Sequence, residues 1–228
     1  MGTAPGIIGR VLAPAIKLWL HSQATIAQLD LQIGGGSRQL LGGTIPDVAI
    51  AAQGIVYQGL CLERMSLLGS EIRVNLPQMV RGQAFQLLQE IRIQAEVQLL
   101  ESNFNDSLAS ELWQQALWQI LGDCWQQLGL SLEQLATQLQ FRLRPDRLHL
   151  QFAPETELSL SLDLADPQTL RLHSPQWQSA SQPAPDLQWL ESYAIALGED
   201  VAIASLVISE GQVDLTGEFR VLPRADYL

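Results

Sequence analysis

Leu, Ile, Val or Phe recurs at every second position over much of the chain, with Gln, Arg, Ser, Asp or Glu between. A period of two places the apolar side chains on one face of a strand and the polar ones on the other. The first such runs are Leu29-Leu31-Ile33, Ile72-Val74-Leu76 and Ile91-Ile93-Ala95-Val97-Leu99. A second set follows residue 138: Leu139-Phe141-Leu143, Leu148-Leu150-Phe152, Leu158-Leu160-Leu162-Leu164, Leu170-Leu172 and Val213-Leu215-Gly217-Phe219-Val221. Strands with one wet face belong to antiparallel sheets, because parallel strands covered on both sides read as unbroken apolar runs. Pro145-Asp146, Ala165-Asp166-Pro167 and Glu210-Gly211 supply turn chemistry between consecutive runs and predict local hairpins. The runs at 60–67 and 201–208 slip phase, which predicts a β-bulge in each.

Helical periodicity is confined to a few stretches. The longest predicted helix spans 104–127, with Leu112, Trp113, Ala116, Leu117, Ile120, Leu121 and Cys124 on a broad apolar face and Gln114, Gln115, Gln119 and Asp123 on the wet side. Asn103, Asn105 and Asp106 offer capping groups at its start. A shorter helix is expected at 187–197, after Pro185-Asp186 and before Gly198, and 174–186 reads as an exposed loop. The expected division is an N-terminal amphipathic helix over 1–24 followed by a single α+β domain over 25–228.

About ten one-sided strands make more apolar surface than two helices cover if the sheet is flat. The pattern therefore predicts a strongly curved, mostly antiparallel sheet wrapped around a long central helix, 104–127. A 20-residue helix is ~30 Å long and half a bilayer core is ~15 Å thick, so a gap beside that helix has the length for a lipid chain. Enclosing such a chain yields ~0.8 kcal/mol per CH₂ group. The expected walls are Leu112, Leu117, Ile120 and Leu121 on the helix and Leu148, Leu150, Leu160 and Leu162 on the sheet. The same pattern equally describes a filled core.

Composition narrows the function classes. The 228 residues carry 24 Asp plus Glu against 13 Lys plus Arg, a formal charge of -11, which repels nucleic acid phosphates except at a local basic patch. Cys61 and Cys124 are far apart and read as buried thiols. His21, His149 and His173 are scattered, the last two at wet strand positions, and Glu96, Asp163, Asp214 and Glu218 read as solvated strand carboxylates. Gly34-Gly35-Gly36-Ser37 lacks the downstream helix that phosphate binding requires. No catalytic residue, metal site or cofactor is expected.

The N-terminal stretch is basic and greasy. No Asp or Glu precedes Asp30, while Arg10, Lys17 and Trp19 lie among aliphatic residues. Two readings stand: a helix packed on the domain, or a weak, reversible membrane contact through Arg10, Lys17 and Trp19. Neither a secretory signal nor a spanning helix is expected, which suggests a cytoplasmic protein, at most peripheral to a membrane.

Several stretches together resemble a known family. They are Arg10-Val11-Leu12 through Leu18-Trp19-Leu20-His21-Ser22-Gln23, Arg38 through Pro46, Tyr57-Gln58-Gly59-Leu60, Ile72 through Leu76, Leu197-Gly198, and Gln212-Val213 with Gly217. In these the chain resembles the LmeA-like phospholipid-binding family, abundant in photosynthetic bacteria. The resemblance implies a fold similar to the tubular lipid-binding proteins, with a lipid groove between sheet and helix, and structural roles for Pro46 and Gly59. The expected function is non-catalytic binding of a lipid or other long apolar molecule, with transfer between membranes as its extended form. The alternative is an interaction module with a filled core that docks to a membrane-associated protein; an enzyme acting on lipid comes third.

Overall fold

The computed structural model describes residues 9–127, 138–153 and 155–223. The helices are α1 (Gly9–Gln23), α2 (Ser37–Leu41), α3 (Leu76–Met79), α4 (Glu101–Ser107) and α5 (Glu111–Gln127). The strands are β1 (Thr25–Ile33), β2 (Thr44–Tyr57), β3 (Leu60–Arg73), β4 (Ile91–Leu100), β5 (Gln140–Arg144), β6 (Arg147–Ala153), β7 (Thr156–Asp166), β8 (Thr169–Ser179), β9 (Tyr193–Ala196), β10 (Val201–Ser209) and β11 (Gln212–Val221). They form two sheets, one in the order β1-β2-β3-β4-β11-β10 and the other in the order β5-β6-β7-β8-β9. Every pairing is antiparallel.

The second sheet sits against the β10 edge of the first. Asp146 donates its N–H to the Ile208 carbonyl at 3.1 Å, Ile203 donates to the Pro167 carbonyl at 2.7 Å, and Gly211 donates to the Leu143 carbonyl at 3.1 Å. The hairpin turns that the sequence marks with Pro145-Asp146 and Pro167 thus also supply partners for an edge strand. Glu101 and Asn105 of α4 do the same for β5: Leu143 N–H donates to Glu101 Oε2 at 2.8 Å, and Phe141 N–H donates to Asn105 Oδ1 at 2.8 Å.

Two separate apolar clusters hold these layers. In the first, Leu117, Leu121 and Trp125 of α5 pack with Phe141, Leu143, Leu148, Leu150, Phe152, Leu158, Leu160 and Leu172 of the five-stranded sheet, and Ile208 and Val213 join from the other sheet. In the second, Leu12 and Ile16 of α1 pack with Ile45, Val48, Ile72 and Ile91 at the far end of the six-stranded sheet, beside Leu40, Val74 and Leu76. The sheet is therefore not wrapped around a central helix. At 17 residues α5 is ~25 Å long, and its apolar stripe covers the five-stranded sheet, while α1 covers the opposite end of the larger one.

The expected single helix at 104–127 is two. α4 ends at Ser107, whose hydroxyl donates to the Asn103 carbonyl at 2.7 Å and accepts the Cys61 N–H at 2.9 Å. Ser110 then opens α5, its Oγ accepting the Trp113 N–H at 3.1 Å. Asn105 is not a cap but a partner for β5. The expected helix at 187–197 is a single 3₁₀ turn, Gln188–Ser192, followed by β9, because Tyr193-Ala194-Ile195-Ala196 alternates and pairs with β8. Asp186 accepts the Gln188 N–H at 3.0 Å, so the capping group is used, but by the shorter turn.

The expected loop at 174–186 begins only after Ser179, since β8 continues along β7 to the Ser179–Thr156 pair. Ile72 lies at the end of β3, which closes at Arg73, and Val74 makes an isolated bridge to Leu87 before Leu76 starts α3. The bulge expected in 201–208 lies between Ile203 and Ser205. No register shift falls in 60–67: pairing with β2 keeps one register from Tyr57–Leu60 to Gln53–Arg64, and the slip in phase coincides with an unpaired step opposite Glu63, at Gly54 with φ of 59°. Strand β2 itself escapes the alternation rule, because Ala49, Ala51 and Ala52 place small residues on both faces. Cys61 is a free, half-buried thiol rather than a buried one, and the side chain of Cys124 lies outside the described residues.

Candidate functional site

Register sorts the faces of the six-stranded sheet. Cross-strand partners share a face, so Leu29, Ala52, Met65, Val97, Leu215 and Leu206 form one row, and Leu31, Ile50, Leu67, Ala95, Gly217 and Ile203 the next. A third row runs Ile33, Val48, Gly69, Ile93, Phe219 and Val201. The bulge at Ile203/Ser205 keeps Ile203 and Leu206 on the same side although they are three residues apart. All three rows are apolar.

The two core clusters claim only the ends of this face. Ile93 packs into the α1 cluster and Val213, opposite Leu99, into the α5 cluster, ~20 Å apart along the strand. Between them Leu29, Met65, Ala95, Val97, Ile203 and Phe219 are half-buried and belong to neither cluster among the described residues, around a floor of buried Ala52 and Leu67. The band crosses six strands, ~24 Å at ~4.8 Å per spacing.

The residues expected to line a helix–sheet groove divide into two groups. Leu117, Leu121, Leu148, Leu150 and Leu160 are all buried within the α5 cluster. Ile120 and Leu162 pack against that cluster but stay partly accessible, as do Leu206 and Leu215 of the apolar band, and Leu112 is exposed. Register brings Leu148 and Leu160 together as direct partners.

The opposite face of the large sheet is wet, with the row Gln32, Ala49, Leu68, Gln94 and Glu218. It is also hollowed. Two adjoining cavities of ≈ 590 and ≈ 550 Å³ share Leu68, Gln94 and Glu218, and run from Gly34 and Asp47 to Pro167 and Ala204. Leu68, 55 % exposed, stands in their common floor. Alternation alone assigns this face to solvent; its small side chains, Ala49, Ser66, Ser70, Ala202 and Ala204 among them, leave room for the hollow.

The wet face of the smaller sheet holds His149 and His173, while His21 lies in α1. His149 Nδ1 lies 2.7 Å from Glu157 Oε1, and His173 Nε2 lies 3.4 Å from Asp163 Oδ2. Arg171 donates Nε and Nη2 to the two Asp163 oxygens at 3.0 and 2.6 Å, and this forked contact holds the Asp163 carboxyl below the ordinary carboxylate range, against an opposing effect of burial. The pair is solvent-exposed, so Asp163→Asn costs under ~1 kcal/mol at pH 7. A lowered folded pKa stabilises above the unfolded value and is lost as pH falls through the folded one, so the cost of Asp163→Asn vanishes at strongly acid pH; urea midpoints at both pH values measure this.

At the α1 end, Lys17 is half-buried and Trp19 packs on Phe85 with ring centroids 5.5 Å apart; the side chain of Arg10 lies outside the described residues. Leu18, Leu41, Val80 and Leu88 are exposed there, in or beside α1, α2 and α3, together with Arg38, Arg73 and Arg81. Glu71 and Glu90 lie in the same part of the chain, and Glu90 is 3.8 Å from Arg220. No helix among the described residues is long and apolar enough to cross a membrane.

Among the described residues the protein is an antiparallel β structure whose larger sheet carries a half-buried apolar band, with no helix threaded through it. The chain matches the model of the LmeA-like phospholipid-binding family over residues 3–218, and it belongs to that family. No curated protein and no solved structure matches it.

Proposed function

We propose that this protein binds a phospholipid without catalysis, laying an acyl chain along the apolar band of the six-stranded sheet. The observation that carries the reading is that band: an apolar face ~24 Å across whose middle, Leu29, Ala52, Met65, Leu67, Ala95, Val97, Ile203 and Phe219, belongs to neither core cluster among the described residues. Leu162, Ile120 and Leu112 continue the apolar surface toward α5, with Leu117, Leu121, Leu148, Leu150 and Leu160 as the packed wall behind them. Exchange with a membrane proceeds at the α1 end, where Lys17 and Trp19 lie near exposed aliphatic side chains, with Arg10 in the same helix, and this makes the protein peripheral to a bilayer surface. Family membership supports the ligand class.

The hollowed wet face is the competing location, favoured by its volume, and the two faces are separable by substitution. Met65→Glu puts a carboxylate in the apolar band; Leu68→Glu puts one in the hollow. Uptake of a fluorescent phospholipid is expected to fall at least tenfold in Met65→Glu and to stay within twofold in Leu68→Glu. The reverse pattern assigns the ligand to the wet face. No uptake by the unmodified protein, together with no co-purifying lipid in native mass spectra, leaves a filled interaction module.

A further inference from the structure

We infer that β1 pairs with β1 of a second copy of this chain, extending the six-stranded sheet across a two-fold axis. The other sheet edges are occupied or short among the described residues. β10 is met by Asp146 and Pro167, β5 by Asn105 and Glu101, and β9 is four residues long. β1 is different: eight of its nine residues pair with β2 in one register, Ala27 opposite Gly54 being the exception, and its other edge is unpaired among the described residues. Long edges are normally blunted by Lys, Pro or a bulge, and β1 carries no Lys or Pro and no register shift; α1 packs against Leu31 and Ile33, and no strand pairs with its outer edge among the described residues.

Its sequence is self-complementary in only one register. Alternation requires like faces to meet, so the two-fold axis passes through a residue rather than between two. Centred on Asp30, the pairing opposes two carboxylates; centred on Gln28, it loses the last turn of strand. Centred on Leu29 it uses all nine residues, with Leu29 against Leu29, Ala27 against Leu31, Thr25 against Ile33 and Ile26 against Gln32, and with exposed Gln28 against exposed Asp30. No like charges meet. The proposal does not depend on what the apolar face binds.

Gln28 and Asp30 are both exposed, so their charges can be changed without touching the core. Sedimentation velocity over a concentration series is expected to show a monomer–dimer equilibrium. Gln28→Glu, which faces Asp30 twice per dimer, raises the dissociation constant about tenfold, while Gln28→Lys keeps or lowers it. The double variant Gln28→Glu with Asp30→Lys restores dimerisation, which a variant that merely misfolds does not. A monomer at every concentration overturns the proposal, as does a dimer whose strength is the same in Gln28→Glu and Gln28→Lys, since its interface then lies elsewhere.

Discussion

Trp125→Ala lowers the free energy of unfolding by ~3–5 kcal/mol, the range for truncating a large buried aromatic. Trp125 is fully buried on α5, with Trp118 and Phe152 rings at 6.2 Å on either side and Trp177 beyond Phe152 at 6.1 Å. It is the point at which the helix, β6 and β8 are held together, so the cavity opens in the middle of the α5 cluster. Its indole N–H has no hydrogen-bond partner among the described residues. Trp125→Phe therefore gives up volume but no hydrogen bond, and recovers most of the stability. Urea denaturation of the two variants checks this, and equal midpoints for Trp125→Ala and the parent protein would remove α5 from the core.

Gly59→Ala is expected to cost ~2–5 kcal/mol from two additive sources. Gln58 and Gly59 form the two-residue turn between Tyr57 and Leu60, with φ of 50° and 81°. Consecutive left-handed residues are the twist-matched way to join antiparallel strands, and a side chain at the second costs ~1–2 kcal/mol. A Cβ there also comes within 2.4 Å of the Ser110 Cβ, and such overpacking adds ~1–3 kcal/mol. Ser110 caps α5, so the damage reaches the helix: the loss of far-UV helical signal on heating begins earlier in Gly59→Ala than in Gln58→Ala. Similar melting of the two would mean the hairpin and the cap are independent. The contact also explains a structural demand for glycine within Tyr57-Gln58-Gly59-Leu60, one of the stretches that carry the family resemblance.

The local, period-two information in the chain determined the strands that alternate cleanly, their antiparallel class and the hairpin turns at Pro145-Asp146, Pro167 and Glu210-Gly211, because a strand needs only its own residues to choose its faces. Phase slips announced the bulge at Ile203. Strand β2 was not legible, since its alanines fit either face, and the helix break at 108–110 was not, since Ser107 and Ser110 act through partners in β3 and at the Gly59 turn. Which apolar faces meet was decided by tertiary structure alone. Five of the eight leucines and isoleucines expected to border a groove are core, and the half-buried band lies instead on Leu29, Met65 and Val97 of the larger sheet. Alternation says that a face is greasy; only the placement of α1, α5 and the second sheet, contacts made between distant parts of the chain, says how much of it they cover.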